Sequence, residues 1–182
     1  MATNSVNLGI GRATGMFYHA PTGTALPAYP SEALGTGWQE VGAISEDGIT
    51  FSPAKDSETL KNWAKQVERL LPSEDNPSVQ APVIDTTEEA LKTVFGDDYV
   101  TVTAAAAGHG KIVSVEIAPN NLPEKEAYLF VMKDGDDLMM LGTTSGVIRA
   151  VDDVEMGPTG AITWTATIEA DAWTFVKEEA AS

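Results

Sequence analysis

Apolar and polar residues alternate along most of the second half of the chain, which is the pattern of half-buried β-strands. The alternating segments are 99–104, 111–117, 126–133, 137–142, 147–156, 161–170 and 172–178. Turn residues separate them, including a turn predicted at TTSG, 143–146. Short strands at this spacing are typical of an antiparallel β-sandwich or barrel. The predicted inward faces are Val113, Val115 and Ile117 in one strand and Ile162, Trp164, Ala166 and Ile168 in another.

A helical period is clear in the segment 86–95. Its apolar face consists of Ala90, Leu91, Val94 and Phe95. These positions are three to four residues apart, as one face of a helix requires. Asp85 is the predicted N-cap, Glu88 follows it in a capping-box-like arrangement, and Gly96 is a natural residue to end the helix. The pattern therefore predicts one helix over 86–95.

An Asp-Gly pair lies within the stretch GWQEVGAISEDGITFSP, residues 37–53. Apolar residues alternate with polar ones on both sides of SEDG, Ser45–Gly48. Asp-Gly between two alternating segments is a strong hairpin signal. The stretch therefore predicts two strands that pair with each other across this turn.

The segment 56–72 fits either a helix or strands. A helical apolar face would contain Leu60, Trp63, Ala64, Val67, Leu70 and Leu71, and Pro72 would end the helix. Residues 66–71 also alternate, and so do Val79, Ala81 and Val83, which together fit a hairpin over 66–84. Periodicity by itself favours the helix.

The first 36 residues are rich in Gly, Pro, Ala and Thr. They predict one short strand at about Thr14–His19, and Pro21, Pro27 and Pro30 punctuate the loop after it. A loop of that length in a compact domain is usually functional.

The net charge is −16, from 27 acids against 11 bases, and the chain contains no cysteine. Such an acidic protein repels the phosphates of nucleic acid, so a DNA-gripping surface is not expected. Disulfides and thiolate chemistry are excluded. The N-terminus lacks the pattern of a signal peptide, and no apolar run is long enough to span a membrane. We therefore expect a soluble protein made in the cytoplasm.

Motifs that carry chemistry are weak throughout the sequence. His19 and His109 are isolated, and zinc sites need several ligands at defined spacing. The glycines of Gly9–Gly15 do not have the dinucleotide-binding spacing, and Gly142–Gly146 is not a nucleophile elbow. The acidic turn Asp134–Asp137 lacks the spacing of a calcium loop. The sequence predicts a protein that is not an enzyme and has no cofactor or metal.

Three stretches, in this order along the chain, carry a family resemblance. They are Ala20–Pro27 (APTGTALP), Trp38–Gly48 (WQEVGAISEDG) and Thr87–Gly96, which contains the T-x-E-x-L pattern and ends in Phe-Gly. With these stretches the chain resembles the major tail tube protein of long-tailed, siphovirus-type bacteriophages. The resemblance covers most of the chain, and each motif in it is structural rather than chemical.

The resemblance implies an antiparallel β-sandwich or barrel of the tail tube type with one flanking helix, as a single domain over 1–182. It implies an N-terminal arm at 1–15, a long loop at 22–37, and no separate C-terminal domain. It also implies a strand from about Gln66, which we adopt in place of the helix, with a helical turn near Ser57–Trp63.

In function, the resemblance implies a structural virion protein. Copies of it would form hexameric rings that stack into a hollow tail, and phage DNA would pass through without specific binding. The implied partners are other copies of the chain, the tape measure protein, the tail terminator and baseplate proteins, with no membrane. Candidate contacts between rings are Arg12, Phe17, Pro27, Tyr29 and Trp38. Candidate acidic residues of the lumen are Asp134, Asp136, Asp137, Asp152, Asp153 and Glu155, because an acidic lining would keep phosphate from adhering.

A different class of function is also open at this point. A monomeric β-sandwich binding module could stack sugars or adhere to surfaces through exposed aromatic side chains. The candidates for that role are Trp38, Trp63, Trp164 and Trp173. Tryptophans in alternating strands are more often part of the core.

Overall fold

A computed structural model describes residues 10–11, 17–53, 57–61, 67–72, 76–118, 121, 123–154, 156 and 160–180. Within these ranges the helix is α1 (Glu88–Phe95), and a 3₁₀ turn follows at Asp97–Tyr99. The strands are β1 (Ile10–Gly11), β2 (Phe17–Pro21), β3 (Gln39–Gly42), β4 (Thr50–Ser52), β5 (Ser57–Lys61), β6 (Val67–Pro72), β7 (Ser78–Val83), β8 (Val100–Thr103), β9 (Ile112–Val115), β10 (Glu126–Asp134), β11 (Asp137–Val151), β12 (Trp164–Ala170) and β13 (Thr174–Glu178).

Nine of the described strands form one antiparallel sheet in the order β3-β2-β10-β11-β12-β7-β4, with β1 on β10 and β13 on β11. The long strand β11 organises this sheet. One of its sides pairs with β10, and the other pairs first with β13 and then with β12. The first part of β11 therefore lies between β10 and β13, and its last part pairs with β12. The prediction of a mainly antiparallel β-fold with one helix is confirmed.

The chain that follows β3, at one end of this strand order, returns to β7 near the other end. Ile44, two residues after β3, bridges Val83 at the end of β7. The Ser45 backbone N–H donates to the Pro82 carbonyl oxygen at 2.8 Å. The sheet therefore curls back on itself like a barrel, which is the arrangement that leaves the fewest exposed strand edges.

The stretch 37–53 makes this closure and is not a hairpin. The predicted turn exists, because Gly48 has a φ of 72° and its N–H donates to Ser45 O at 3.0 Å. However, β3 pairs with β2, and β4 pairs with β7. The predicted pairing is wrong because β7, distant in sequence, is the partner of both Ile44 and β4.

The predicted turn at 143–146 is also wrong, since β11 continues through it. Gly146 marks a close approach between strands. A Cβ there would lie 3.0 Å from Cδ2 of Tyr128 and 3.2 Å from Cγ2 of Ile168. Glycine within a strand often serves this purpose, so the small residues reflect packing rather than a break in the strand.

Two apolar clusters lie on opposite faces of β10. The larger cluster fills the barrel and includes Phe17, Tyr128, Phe130, Trp164 and Ile168. The smaller cluster, on the other face, contains Leu129, Val131 and Met140, and Tyr18, Leu26, Leu34, Trp38 and Val176 pack against it. Because β10 is covered on both sides, its residues from Ala127 to Val131 are all buried.

Helix α1 confirms the predicted helix but not its cap. Thr87 is the N-cap, and its hydroxyl accepts a hydrogen bond from the Ala90 N–H at 3.2 Å. Asp85 is engaged elsewhere, because its carboxylate accepts the Ala43 N–H at 2.7 Å. Gly96 ends the helix as predicted, with a φ of 97°.

The segment 57–72 contains a two-stranded sheet in which β5 pairs with β6. The strand expected from about Gln66 is confirmed from Val67 onward. The helical turn predicted near Ser57–Trp63 is wrong over Ser57–Lys61, and residues 62–66 lie outside the described residues. The hairpin over 66–84 is wrong, since β7 pairs with β12 and β4 instead.

The predicted inward faces are largely confirmed. Trp164, Ala166 and Ile168 are buried. Ile162, Val113 and Val115 are half-buried and pack against the larger cluster. Ile117 is the exception: it lies beyond the end of β9 with 66% of its surface exposed, so its predicted inward position is wrong.

Candidate assembly surfaces

The long loop 22–37 lies on the outer face of the sheet, over the smaller apolar cluster. Its Leu26 and Leu34 pack against that cluster. The Gly23 N–H donates to Thr144 O at 2.7 Å. At the far end of the loop, Ser31 donates from its backbone N–H and its hydroxyl to the Glu178 carboxylate, at 2.9 and 2.7 Å. The outward side of this loop is therefore the part that another molecule could contact.

The described candidates for contacts between rings differ in accessibility. Tyr29 is 50% exposed, whereas Pro27 and Trp38 are half-buried. Phe17 is fully buried and stacks on Phe130 with ring centroids 4.5 Å apart. Its side chain offers no surface to a neighbouring ring, so we remove it from the candidates. Arg12 lies outside the described residues.

The structure places the candidate lumen acids in two separate groups. Asp134, Asp136 and Asp137 surround the turn between β10 and β11, and Asp152 and Asp153 follow the end of β11. A strand of 15 residues separates them by up to about 45 Å at 3.3 Å per residue. They do not form one patch. Glu155 lies outside the described residues.

Only some of these acids are free to act as a negative surface. Asp137 pairs with Lys177, with 3.0 Å between its Oδ2 and the lysine Nζ, and this hydrogen bond raises the pKa of Lys177. Its other oxygen accepts the Ala180 N–H at 3.0 Å. In contrast, Asp136, Asp152 and Asp153 are exposed.

A carboxylate on α1 connects the helix to β9. Glu88 pairs with Lys92 at 2.8 Å and with Lys111 at 2.5 Å. The hydrogen bond from Lys111, followed by that from Lys92, lowers the pKa of Glu88 to about 2. The bond to Glu88 also raises the pKa of Lys92. The pair with Lys111 ties the chain just before β9, at the tip side of the β8–β9 hairpin, to the first residue of α1.

A small polar cluster is buried between β2 and β10. His19 Nδ1 lies 3.0 Å from Glu126 Oε2, and Tyr128 stands opposite His19 in the strand pairing. Burial, and then the nearby charge of Glu126, raise the pKa of Tyr128 well above its usual value. This cluster lacks a nucleophile held against a base, which acyl or phosphoryl transfer would require.

The remaining sequence candidates are scattered. His109 is exposed at the tip of the β8–β9 hairpin, far along the chain from His19. Among the residues that the structure describes, no group of His, Cys, Asp or Glu could hold a metal ion. No described helix is long and apolar enough to cross a membrane.

The tryptophans do not form an exposed platform for sugars in the described part of the chain. Trp164 is buried and packs edge-on to Phe95, with centroids 5.3 Å apart. Trp38 packs against the smaller cluster and Trp173 against the larger one. Trp63 lies outside the described residues. The described tryptophans therefore do not support a monomeric sugar-binding module.

The described residues form a curled antiparallel sheet with a loop packed over one face, which is the architecture of a mainly β-protein. The family model for phage tail tube proteins matches residues 1–181. The chain therefore belongs to the phage tail tube protein family, whose members are non-enzymatic components of the virion. No curated protein matches the chain. The predicted tail tube family and the prediction of a non-enzyme are both confirmed, and the siphovirus type stays a prediction.

Proposed function

We propose that copies of this chain close into hexameric rings, which stack into the hollow tail tube that conducts phage DNA to the host. The observation that carries this proposal is the set of strand edges left after the sheet has curled. Among the described strands of the large sheet, β1, β3, β4 and β13 each pair with one other strand. Unpaired edges are templates for further strand pairing, and closed symmetric rings use them without unlimited aggregation.

The size of the subunit favours six copies over four. A compact chain of 182 residues is about 41 Å across when treated as a sphere. Six such bodies in a ring leave a hole about one subunit wide, whereas four leave only about 17 Å. Duplex DNA is roughly 20 Å across, given the depths of its grooves. Five copies would leave about 29 Å, so the bore must be measured directly.

The acidity of the chain supports a role for the lumen in DNA passage. A lining of carboxylates would repel phosphate and keep the genome from adhering to the wall. The exposed acids Asp136, Asp152 and Asp153 are the described candidates. Because they lie at opposite ends of β11, both groups can face one bore only if β11 runs along the tube axis.

In the virion, the assembled tube would contact the tape measure protein inside it, the tail terminator at one end and the baseplate at the other. Membership of the tail tube family supports assembly with other tail components. The long loop 22–37 and the N-terminal arm 1–15 are the proposed contacts between successive rings.

Electron microscopy of the purified protein tests the proposal. We expect rings or tubes with sixfold symmetry and a bore wider than about 20 Å, the width of duplex DNA. A protein that remains monomeric over a wide range of concentration, salt and pH would contradict it. A reconstruction in which the exposed acids line the outer wall would contradict the acidic lumen alone.

A further inference from the structure

The β8–β9 hairpin belongs to neither of the other two sheets. Its strands pair only with each other among the described strands, and they pack against α1, whose Glu88 also pairs with Lys111 just before β9. Every residue from Thr101 to Ile112 is exposed. A two-stranded ribbon needs a further packing surface to be stable, and α1 supplies one on one side. The rest of the ribbon is open to a partner surface.

This hairpin carries apolar side chains on both faces. Its cross-strand pairs are Val100–Val115 and Val102–Val113 on one face, and Thr103–Ile112 on the other. The valine face begins in the larger cluster and continues outward to Val102, which is 37% exposed. On the opposite face Ile112 is 46% exposed. Val102 and Ile112 are therefore the apolar side chains that the two faces of the hairpin offer to a neighbouring surface.

The charge of the hairpin identifies the kind of partner. From Tyr99 to Val115 the sequence contains no Asp or Glu, although the whole chain has 27 acids and a net charge of −16. Its single lysine, Lys111, is already paired with Glu88 of α1. Copies with this net charge repel each other, so a surface without acids opposes a contact between them least.

A matching surface exists at the free edge of β4. The residues around it, Gly48–Pro53, also contain no acid, and Phe51 at its centre is 41% exposed. The strand has three residues, close to the four in each strand of the hairpin. Two further edge strands carry charge and fit an uncharged ribbon less well: β13 contains Lys177 and Glu178, and β3 contains Glu40.

We propose that the β8–β9 hairpin of one copy docks on a second copy of this chain, adding its ribbon to the free edge of β4. This inference rests on the proposed function, because it assigns the contact that joins neighbouring subunits. The apolar contact is between Ile112 or Val102 of one copy and Phe51 of the next. One hairpin and one β4 edge per copy make a head-to-tail contact, which gives a ring when the rotation between neighbours closes.

The first test changes the apolar contact at Ile112. Ile112→Asp and Ile112→Lys remove the apolar group with opposite charges, and Ile112→Val keeps it. The control is Met156→Asp, because Met156 is also exposed, at 69%, and lies off the hairpin. We expect both charged variants to raise the protein concentration needed for rings about tenfold or more. Ile112→Val and Met156→Asp should assemble like the wild type.

Folding of each variant is checked by circular dichroism and thermal melting. Ile112 lies outside both apolar clusters, so the melting temperature should not change by more than about 2 °C. If both charged variants assemble like the wild type, the inference is overturned while the proposed function stands. If the wild type forms no rings or tubes, both fail. Loss of assembly in Met156→Asp as well would show a general effect of added charge and would also overturn the inference.

The second test locates the receiving surface by cross-linking. The natural chain has no cysteine, so introduced thiols react alone. Thr103→Cys and Thr50→Cys are made in separate, differently tagged preparations, mixed before assembly and treated with a short bismaleimide. A link between the two tags joins hairpin to β4 across two copies. Ala33→Cys, an exposed residue of the long loop, replaces Thr50→Cys in the control. Assembly with links to the control and none to Thr50→Cys would overturn the proposed β4 contact.

Discussion

Replacing Gly142 by alanine is expected to displace the long loop from the sheet. A Cβ at this position would lie 2.7 Å from Cδ2 of Leu26, the loop residue packed over it. It would also lie 3.1 Å from Cδ1 of Leu129 and 3.1 Å from the backbone oxygen of Tyr128. The two strand neighbours are buried in the sheet. Leu26 is half-buried, so it is the group that must move.

The expected magnitude follows from these contacts. Adding one carbon to a well-packed site costs about 1–3 kcal/mol. The lower entropy of the unfolded alanine chain offsets about 0.4–1 kcal/mol of this cost. A net loss of about 1–2 kcal/mol in the free energy of unfolding remains. For a chain of this size, each kcal/mol corresponds to about 2–4 °C, so the melting temperature should fall by about 2–8 °C.

Thermal melting and limited proteolysis together measure this effect. In the Gly142→Ala variant, cleavage within the loop 22–37 should become faster, because the loop spends more time off the sheet. The matched control is Gly35→Ala, since nothing lies within 4 Å of a Cβ there and no positive φ opposes alanine. If neither the melting temperature nor the cleavage rate changes in Gly142→Ala, the close packing of Leu26 on Gly142 is refuted.

Three further predictions concern α1 and its neighbours. Thr87→Ala should cost about 1 kcal/mol in urea unfolding, because the first turn loses its side-chain acceptor; an unchanged midpoint would contradict this. Asp85→Ala should cost about 1 kcal/mol, since the Ala43 N–H loses its carboxylate acceptor, and no cost would argue against that bond. Glu88 has a pKa of about 2 when folded, against about 4.3 when unfolded, so its pairing with Lys111 stabilises above about pH 4.3 and is lost as the pH falls towards 2. Unfolding midpoints between pH 5 and 2 should show this loss in the wild type and a smaller one in Glu88→Gln, and equal slopes would contradict it.

Local patterns predicted the elements whose faces are set by burial alone. The apolar face of 86–95 is the buried face of α1, and Gly96 ends it. The alternation in 161–170 is the inward face of β12, with Trp164 and Ile168 buried. Period and burial are linked directly, since a residue's direction on a helix or strand depends only on its position in the repeat.

Local patterns failed where the partner lies far along the chain. The Asp-Gly turn at Ser45–Gly48 forms, yet the strands beside it pair with β2 and β7. Asp85 has the side chain of an N-cap, but it binds the backbone at Ala43 instead. The unbroken apolar run of β10 does not reveal which cluster covers each face. A short stretch of sequence does not show which distant segment will take one of its hydrogen bonds or cover its apolar face.

The assembly surfaces show the same division. Sequence alone established the acidity, the absence of cysteine, the absence of a catalytic motif and the family, because these depend on residue types and their order. It also contained the acid-free stretch from Tyr99 to Val115. Only the tertiary structure decided that this stretch is an exposed hairpin, that Phe17 is buried, and that the two acidic groups lie at opposite ends of β11. The exposure of a residue and its distance from other residues are set when the sheet curls and Ile44, after β3, meets Val83 of β7. A one-dimensional pattern does not specify this closure.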